Sequence, residues 1–172
     1  MGKVMSATGH RPDKLGGYKP RNNPTVQHIK EELYEKLRLC MDGGFDEFWS
    51  GAAQGFDQIF FEVVEDLRVE FPHIKNNIAI PYKGFGDNWP EAAKKNLDEL
   101  CKLADVVHIV CEGDYDIRYL QKRNVFMVDK GDAIMACWDG TRGGTFNCIE
   151  YAKKKKKPIL RLNPRTRIWN CI

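Results

Sequence analysis

The chain lacks any long apolar run: no window approaches the roughly 18 uninterrupted apolar residues that a membrane-spanning helix needs. No basic-then-apolar leader precedes its first strand pattern, so secretion is not expected and a cytoplasmic protein is. Its six cysteines, Cys40, Cys101, Cys111, Cys137, Cys148 and Cys171, form no C-x-x-C pair, and His10, His28, His73 and His108 are equally scattered. Metal-ligand spacing is therefore missing, and neither a metal nor another cofactor is implied. Cys111 and Cys137 fall in or at the end of apolar strand patterns, where a reduced thiol behaves as a small hydrophobe. Disulfides are disfavoured in a cytoplasmic setting. Internal repeats, low-complexity stretches and linkers are also missing, so the 172 residues read as one domain spanning 1–172.

What the sequence does contain is a steady alternation of strand and helix patterns. Apolar runs at Lys3–Thr8, Glu47–Ser50, Asn77–Ile80, Val106–Cys111, Ala133–Trp138 and Pro158–Leu162 read as strands. Between them lie helical patterns, such as Val26, Ile29, Leu33, Leu37 and Cys40, then Ile59, Phe60, Val63, Val64 and Leu67. Val106–Cys111 is continuously apolar, which predicts a strand covered on both faces. Strands separated by helices of this length predict an α/β fold: a three-layer, Rossmann-like, mostly parallel sheet with helices on both faces. In such sheets ligands bind outside the carboxyl ends of the strands. Those ends carry the polar and glycine-rich segments here, while the strand interiors stay apolar.

Two of these segments are glycine corners that open helical patterns: Ser50-Gly-Ala-Ala-Gln-Gly-Phe-Asp57 and Trp138-Asp-Gly-Thr-Arg-Gly-Gly-Thr145. A strand–glycine turn–helix corner leaves backbone N–H groups unpaired where the helix dipole also favours an anion. Gly51, Gln54 and Gly55 form a plausible phosphate or ribose turn in the first corner. Asp57 there either caps the helix or meets a ribose hydroxyl, since a carboxylate repels phosphate at close range. In the second corner Gly143 and Gly144 permit close backbone approach, and Thr145 adds a hydroxyl at the expected N-cap. Trp138 could stack on a base or anchor the core; Asp139, beside Gly140, could contact a ribose. Gly9, His10 and Arg11, after the first strand, add a sharp turn, a donor or acceptor, and a guanidinium fork suited to phosphate. Arg123 and Asn124 lie on the helix before the fifth strand, where Arg123 is either an anion clamp or a solvated side chain. The run Lys153–Lys157 reads as a solvated helix end complementing the C-terminal dipole. Nucleic-acid contact is its alternative, though no aromatic residues interleave it.

Taken in order, Thr8-Gly-His-Arg-Pro12, Ser50-Gly-x-x-Gln-Gly55 with Asp57, Arg123-Asn124-x-x-Met127-Val-Asp129, Trp138-Asp-Gly140 and Gly143-Gly-Thr145 with Tyr151-Ala152 resemble the YpsA-like branch of the SLOG superfamily. That Rossmann-like group includes the LOG phosphoribohydrolases and the DNA-processing protein DprA. The resemblance covers nearly the whole chain. It implies a sensor or processor of a nucleotide-derived ligand held by the glycine corners, and a homodimer. In LOG enzymes R-K-x-x-M supplies a catalytic arginine and P-G-G-x-G-T-x-x-E supplies phosphate donors and a catalytic glutamate. Arg123 and Met127 match the first motif, with Asn124 in place of lysine. Gly143, Gly144 and Thr145 match part of the second, but Cys148 stands where the glutamate would be. Glu150 is about 200° around the helix from that position.

Three functions follow in order of expectation. The first is binding or sensing of a nucleotide-derived small molecule, released unchanged. The second is nucleotide N-glycosidase chemistry, for which Asp57, Glu112 or Asp139 would have to supply the carboxylate. The third is DprA-like binding of single-stranded DNA through the lysine run. Whether the chain is an enzyme is left open by its residues. Arg123→Ala and Gly144→Asp are both expected to remove ligand binding and leave the fold intact.

Overall fold

A computed structural model describes residues 2–172. Seven strands, β1 (Lys3–Gly9), β2 (Phe45–Ser50), β3 (Lys75–Tyr82), β4 (Val106–Cys111), β5 (Ala133–Cys137), β6 (Ile159–Leu162) and β7 (Trp169–Cys171), form one sheet. Five α-helices join them: α1 (Pro24–Asp42), α2 (Phe56–Leu67), α3 (Glu91–Leu103), α4 (Ile117–Lys130) and α5 (Gly144–Lys154). The sheet order is β4-β3-β2-β1-β5-β6-β7. Pairing is parallel throughout except for β7, which returns antiparallel to β6. This is the α/β, mostly parallel architecture expected from the alternating pattern. β7 is an addition, because three residues after a basic turn carry too little periodicity to read.

Strand β1 shows how the layers are built. Met5 and Ala7 point into the core that Leu33, Leu37, Phe60 and Val64 of α1 and α2 fill. Ser6 points to the opposite face, where its hydroxyl donates to the Met127 carbonyl of α4 at 2.7 Å. On that second face Val128 of α4 and Ile149 of α5 pack against Ile134 and Ala136 of β5. Alternation along one strand thus assigns side chains to two helical layers.

The chain builds outward from β1 through β2 and β3 to β4, then α4 crosses back to place β5 on the other side of β1. A reversal of this kind splays the connecting loops apart and leaves a crevice beyond the strand ends. The crossing also corrects one expectation. β4 is not covered on both faces; it is an edge strand, with Val106, Val107 and Ile109 at 47%, 38% and 45% exposure. An apolar run registers a demand for burial, and it does not say whether this chain supplies the cover.

Candidate functional site

At the crevice lies a cleft of about 540 Å³, lined from the β1 loop, the first turns of α2 and α4, and the corner before α5. Gly9, His10, Arg11, Asp57, Arg123, Asn124, Gly143, Gly144 and Thr145 all line it. Its charged side chains are Arg11, Lys14, Arg123 and Arg142 against Asp13 and Asp57, an excess of positive charge.

The two glycine corners differ in what their backbones do. In the first, the amide at the start of α2 is already used: Phe56 N–H donates to the His10 carbonyl at 3.0 Å. That bond ties the corner to the β1 loop. Gln54 and Gly55 face a smaller neighbouring pocket beside Pro12 and Tyr18 instead of the main cleft. In the second corner no side chain caps α5, whose N-cap is Gly143 at φ 152°. The first free N–H groups of the helix therefore open toward the cleft, a ready seat for an anion. Thr145 falls one residue inside the helix start and not at the N-cap expected for it. A Cβ added at Gly144 would meet open space, whereas Gly143, at φ 152°, holds a backbone conformation that side chains rarely adopt.

Arg123 is an internal clamp. It is 4% exposed and donates from Nη1 to the Gly51 carbonyl at 2.6 Å and from Nε to Asn124 Oδ1 at 3.0 Å. Its Nη1 also lies 4.0 Å from Asp57 Oδ2. Gly51 is glycine because a Cβ there would collide with that guanidinium and with the Asp57 carboxylate. Burial pushes the Asp57 carboxyl above its ordinary value, while Arg123, Arg11 and the Ala53 N–H oppose the shift. The N-cap of α2 is Gly55, and Asp57, in the first turn, is a buried carboxyl presented to the cleft.

Asp139 works inside the fold. Its Oδ1 accepts from the Thr141 N–H at 3.0 Å and hydroxyl at 2.6 Å, and lies 2.8 Å from His10 Nε2. Burial opposes ionisation of Asp139, but the Thr141 donors and the His10 ring hold its carboxyl well below the ordinary value. Burial lowers the His10 pKa, against the pull of Asp139. The Asp139 N–H also lies 3.0 Å from Nε2. One nitrogen cannot donate and accept in the same tautomer, and the carboxylate contact favours a proton on Nε2. Trp138 takes the core-anchor role left open for it: its Nε1 donates to the Thr141 carbonyl at 2.7 Å, and the ring packs on Phe146. Trp138, Asp139 and Gly140 thus build the wall of the site without facing its interior.

Cys148 is buried beside Thr8 and Arg123, with its thiol pushed up to about 11 by burial, so a reactive thiolate is not available. Among the described residues no group of three or more His, Cys, Asp or Glu is placed to hold a metal ion. Among the same residues no helix is long and apolar enough to cross a membrane. The lysine run lies at the far end of α5 from the cleft, where Lys155 pairs with Asp129 at 3.7 Å and Lys157 donates to the Gly131 carbonyl at 2.7 Å. Lys14, Thr141, Arg142, Gln121 and Asn147 are lining residues that the motifs did not single out. Arg142 was legible, sitting between two corner glycines. Lys14 was not, because only the folding-back of the 3-10 turn Pro12–Lys14 brings it to Thr141.

Residues 5–164 match the YpsA family, described as the YspA SLOG family. The chain belongs to that SLOG family. It is 34% identical over 144 residues to the SPbeta prophage-derived protein YoqJ of Bacillus subtilis strain 168, covering 77% of this chain and 84% of that one. It is 28% identical over 158 residues to a UPF0398 protein of Bacillus cereus strain B4264, covering 91% and 85%. Solved structures share the fold of this SLOG protein. DNA processing protein A of Helicobacter pylori, described for its single-stranded DNA binding mode, superposes with a TM-score of 0.62 at 18% identity, covering 94% of this chain and 65% of that one. DprA of Streptococcus pneumoniae gives 0.61 at 14%, and the chain spans 50% of its length. The protein TM1055 gives 0.57 at 15%, covering 91% and 72%.

Proposed function

We propose that this SLOG protein binds a nucleotide-derived small molecule in the rim cleft, with the ligand's phosphate against the start of α5. The uncapped helix start at Gly143-Gly144-Thr145, opening into a cleft with excess positive charge, carries this reading. Arg11, Lys14 and Arg142 line the same cleft as further donors for the anion, while Arg123 shapes the floor. The volume of about 540 Å³ suits a ligand of mononucleotide size or somewhat larger. The six unpaired thiols suit a reducing compartment, and we place the protein in the cytoplasm. To test the reading, the purified protein is incubated with nucleoside monophosphates, NAD, ADP-ribose and cyclic nucleotides, and bound and free fractions are analysed by mass spectrometry. Retention of one of them intact is expected. A panel recovered wholly unbound and uncleaved overturns it.

Asp57 favours a second reading, N-glycosidase activity. Its carboxyl faces the cleft and burial raises its proton affinity, which suits a general acid or base. Free base and ribose phosphate would then appear in the same experiment and disappear with Asp57→Asn. Binding of single-stranded DNA ranks third, since the lysine run lies away from the cleft. As to assembly, we infer a homodimer in which a second copy covers the β4 edge. The strand itself carries no Asp, Glu, Lys or Arg, and its exposed Val106, Val107 and Ile109 would be covered by such pairing.

A further inference from the structure

Three tyrosines meet at the same rim outside the main core clusters. Tyr82 ends β3, Tyr115 lies in the loop before α4, and Tyr119 sits in the first turn of α4. Their rings meet: Tyr82 and Tyr115 at 5.5 Å between centroids and 78°, Tyr82 and Tyr119 at 6.5 Å. None of the three belongs to an apolar core cluster, and Tyr115 is 65% exposed. Tyr82 and Tyr119 are half-buried, Tyr82 packing edge-on against Phe85 at 5.9 Å, whereas exposed Tyr115 forgoes the stabilisation that burial would give and offers a flat face to a planar ligand. Lys122 covers one face of Tyr119 at 5.3 Å, adding a cation to the shelf.

The shelf borders the cleft without lining it. Ile117 and Leu120, from the same helical turn as Tyr119, line the cleft, and Ile117 is itself 62% exposed. Arg11, another lining residue, is close enough to Tyr82 to counter the effect of burial on its hydroxyl. A ligand anchored by phosphate at α5 would therefore find aromatic faces where the cleft opens over Ile117.

We propose that the tyrosine shelf seats the base of the bound nucleotide, with Tyr115 as the principal stacking face; the assignment rests on the phosphate reading above. Aromatic stacking recognises any base by its face, while the tyrosine hydroxyls can bond to its edge. The ligand is thus a nucleotide that keeps its base, not a bare sugar phosphate.

Three probes separate this assignment from the phosphate reading: adenosine, ribose 5-phosphate and AMP, followed by titration calorimetry and by ligand-observed saturation-transfer NMR. Wild type is expected to hold AMP at least about tenfold more tightly than ribose 5-phosphate. Tyr115→Ala should erase that difference and abolish adenosine contact while leaving ribose 5-phosphate affinity unchanged. Tyr115→Phe, which keeps the ring, should retain both. Gly144→Asp should do the reverse, losing ribose 5-phosphate and keeping adenosine. If adenosine does not bind, or binds Tyr115→Ala as well as wild type, the shelf assignment is overturned. If adenosine binds through Tyr115 but ribose 5-phosphate does not bind at all, the shelf stands and the phosphate reading falls.

Discussion

At the scale of single residues, burial separates the groups that hold the site from those that would hold the ligand. Sequence motifs make Arg123 and Gly144 look equivalent as binding residues, and the same variant test was expected of both. The structure separates them. Arg123 is enclosed with Asp57, so Arg123→Ala leaves a buried carboxylate without its cation and should cost about 3–5 kcal/mol of stability. The expectation that this variant would keep its fold intact is therefore revised, and chemical denaturation should show a lowered midpoint. Gly144 stands in open space at the helix start, where an aspartate favours the helix dipole and repels an incoming anion. Gly144→Asp should keep or raise the thermal midpoint while weakening nucleotide binding by at least about tenfold. Gly51→Ala makes the converse case. Its methyl group would displace the guanidinium and carboxylate together, so a destabilisation of about 1–3 kcal/mol is expected in the same denaturation experiment.

At the scale of elements, the turn after β5 is held by one carboxylate. Asp139 joins Thr141 to His10 and so fastens the β5 corner to the β1 loop across the switch point. Its folded carboxyl lies below the ordinary value. Its contribution to stability is thus present above the unfolded value of about 3.9 and is lost as pH falls through the folded one. The lowered His10 works in the same sense, since its contribution is present above about pH 6.5 and is lost on acidification. Thermal melts of wild type and Asp139→Ala should be well separated at pH 7 and converge as the pH is taken below about 4. A constant gap would remove the carboxylate from this role.

The same elements show what the sequence made legible. Both glycine corners could be read from strand–glycine–helix order, because each needs local backbone freedom. Which corner keeps its first helical amide free could not, because the answer depends on the His10 carbonyl arriving from a distant loop. Asp57 read as a cap or ribose contact because spacing does not show direction. Its side chain turns toward Arg123, a residue 66 positions away in the chain. Trp138 was open to two readings for the same reason, and its bond to Thr141 decides for the core. The tyrosine shelf went unread because its three members come from a strand end, a loop and a helix, with no common period.

At the scale of the whole molecule, the apolar run of β4 was readable and its edge position was not, since strand order is fixed by long-range pairing. Exposed Val106, Val107 and Ile109 leave one side of the sheet open to another copy. Light scattering should give about twice the 19.8 kDa chain mass, and Ile109→Lys should return it to that of one chain. Single-chain mass for wild type would refute the inferred dimer. The other end of α5 matters as well: neutralising Lys153–Lys157 should leave nucleotide affinity within about twofold, because screening isolates surface charges more than a Debye length from the cleft.

If the start of α5 seats the ligand's phosphate, its backbone amides must report the binding directly. The most direct measurement is an NMR titration of the isotope-labelled protein with AMP, following every backbone amide. Gly144, Thr145 and Phe146 are expected to show the largest shifts and to saturate together, and these shifts should vanish in Gly144→Asp. Shifts that leave these amides unmoved while others saturate would place the ligand elsewhere and contradict a seat at α5.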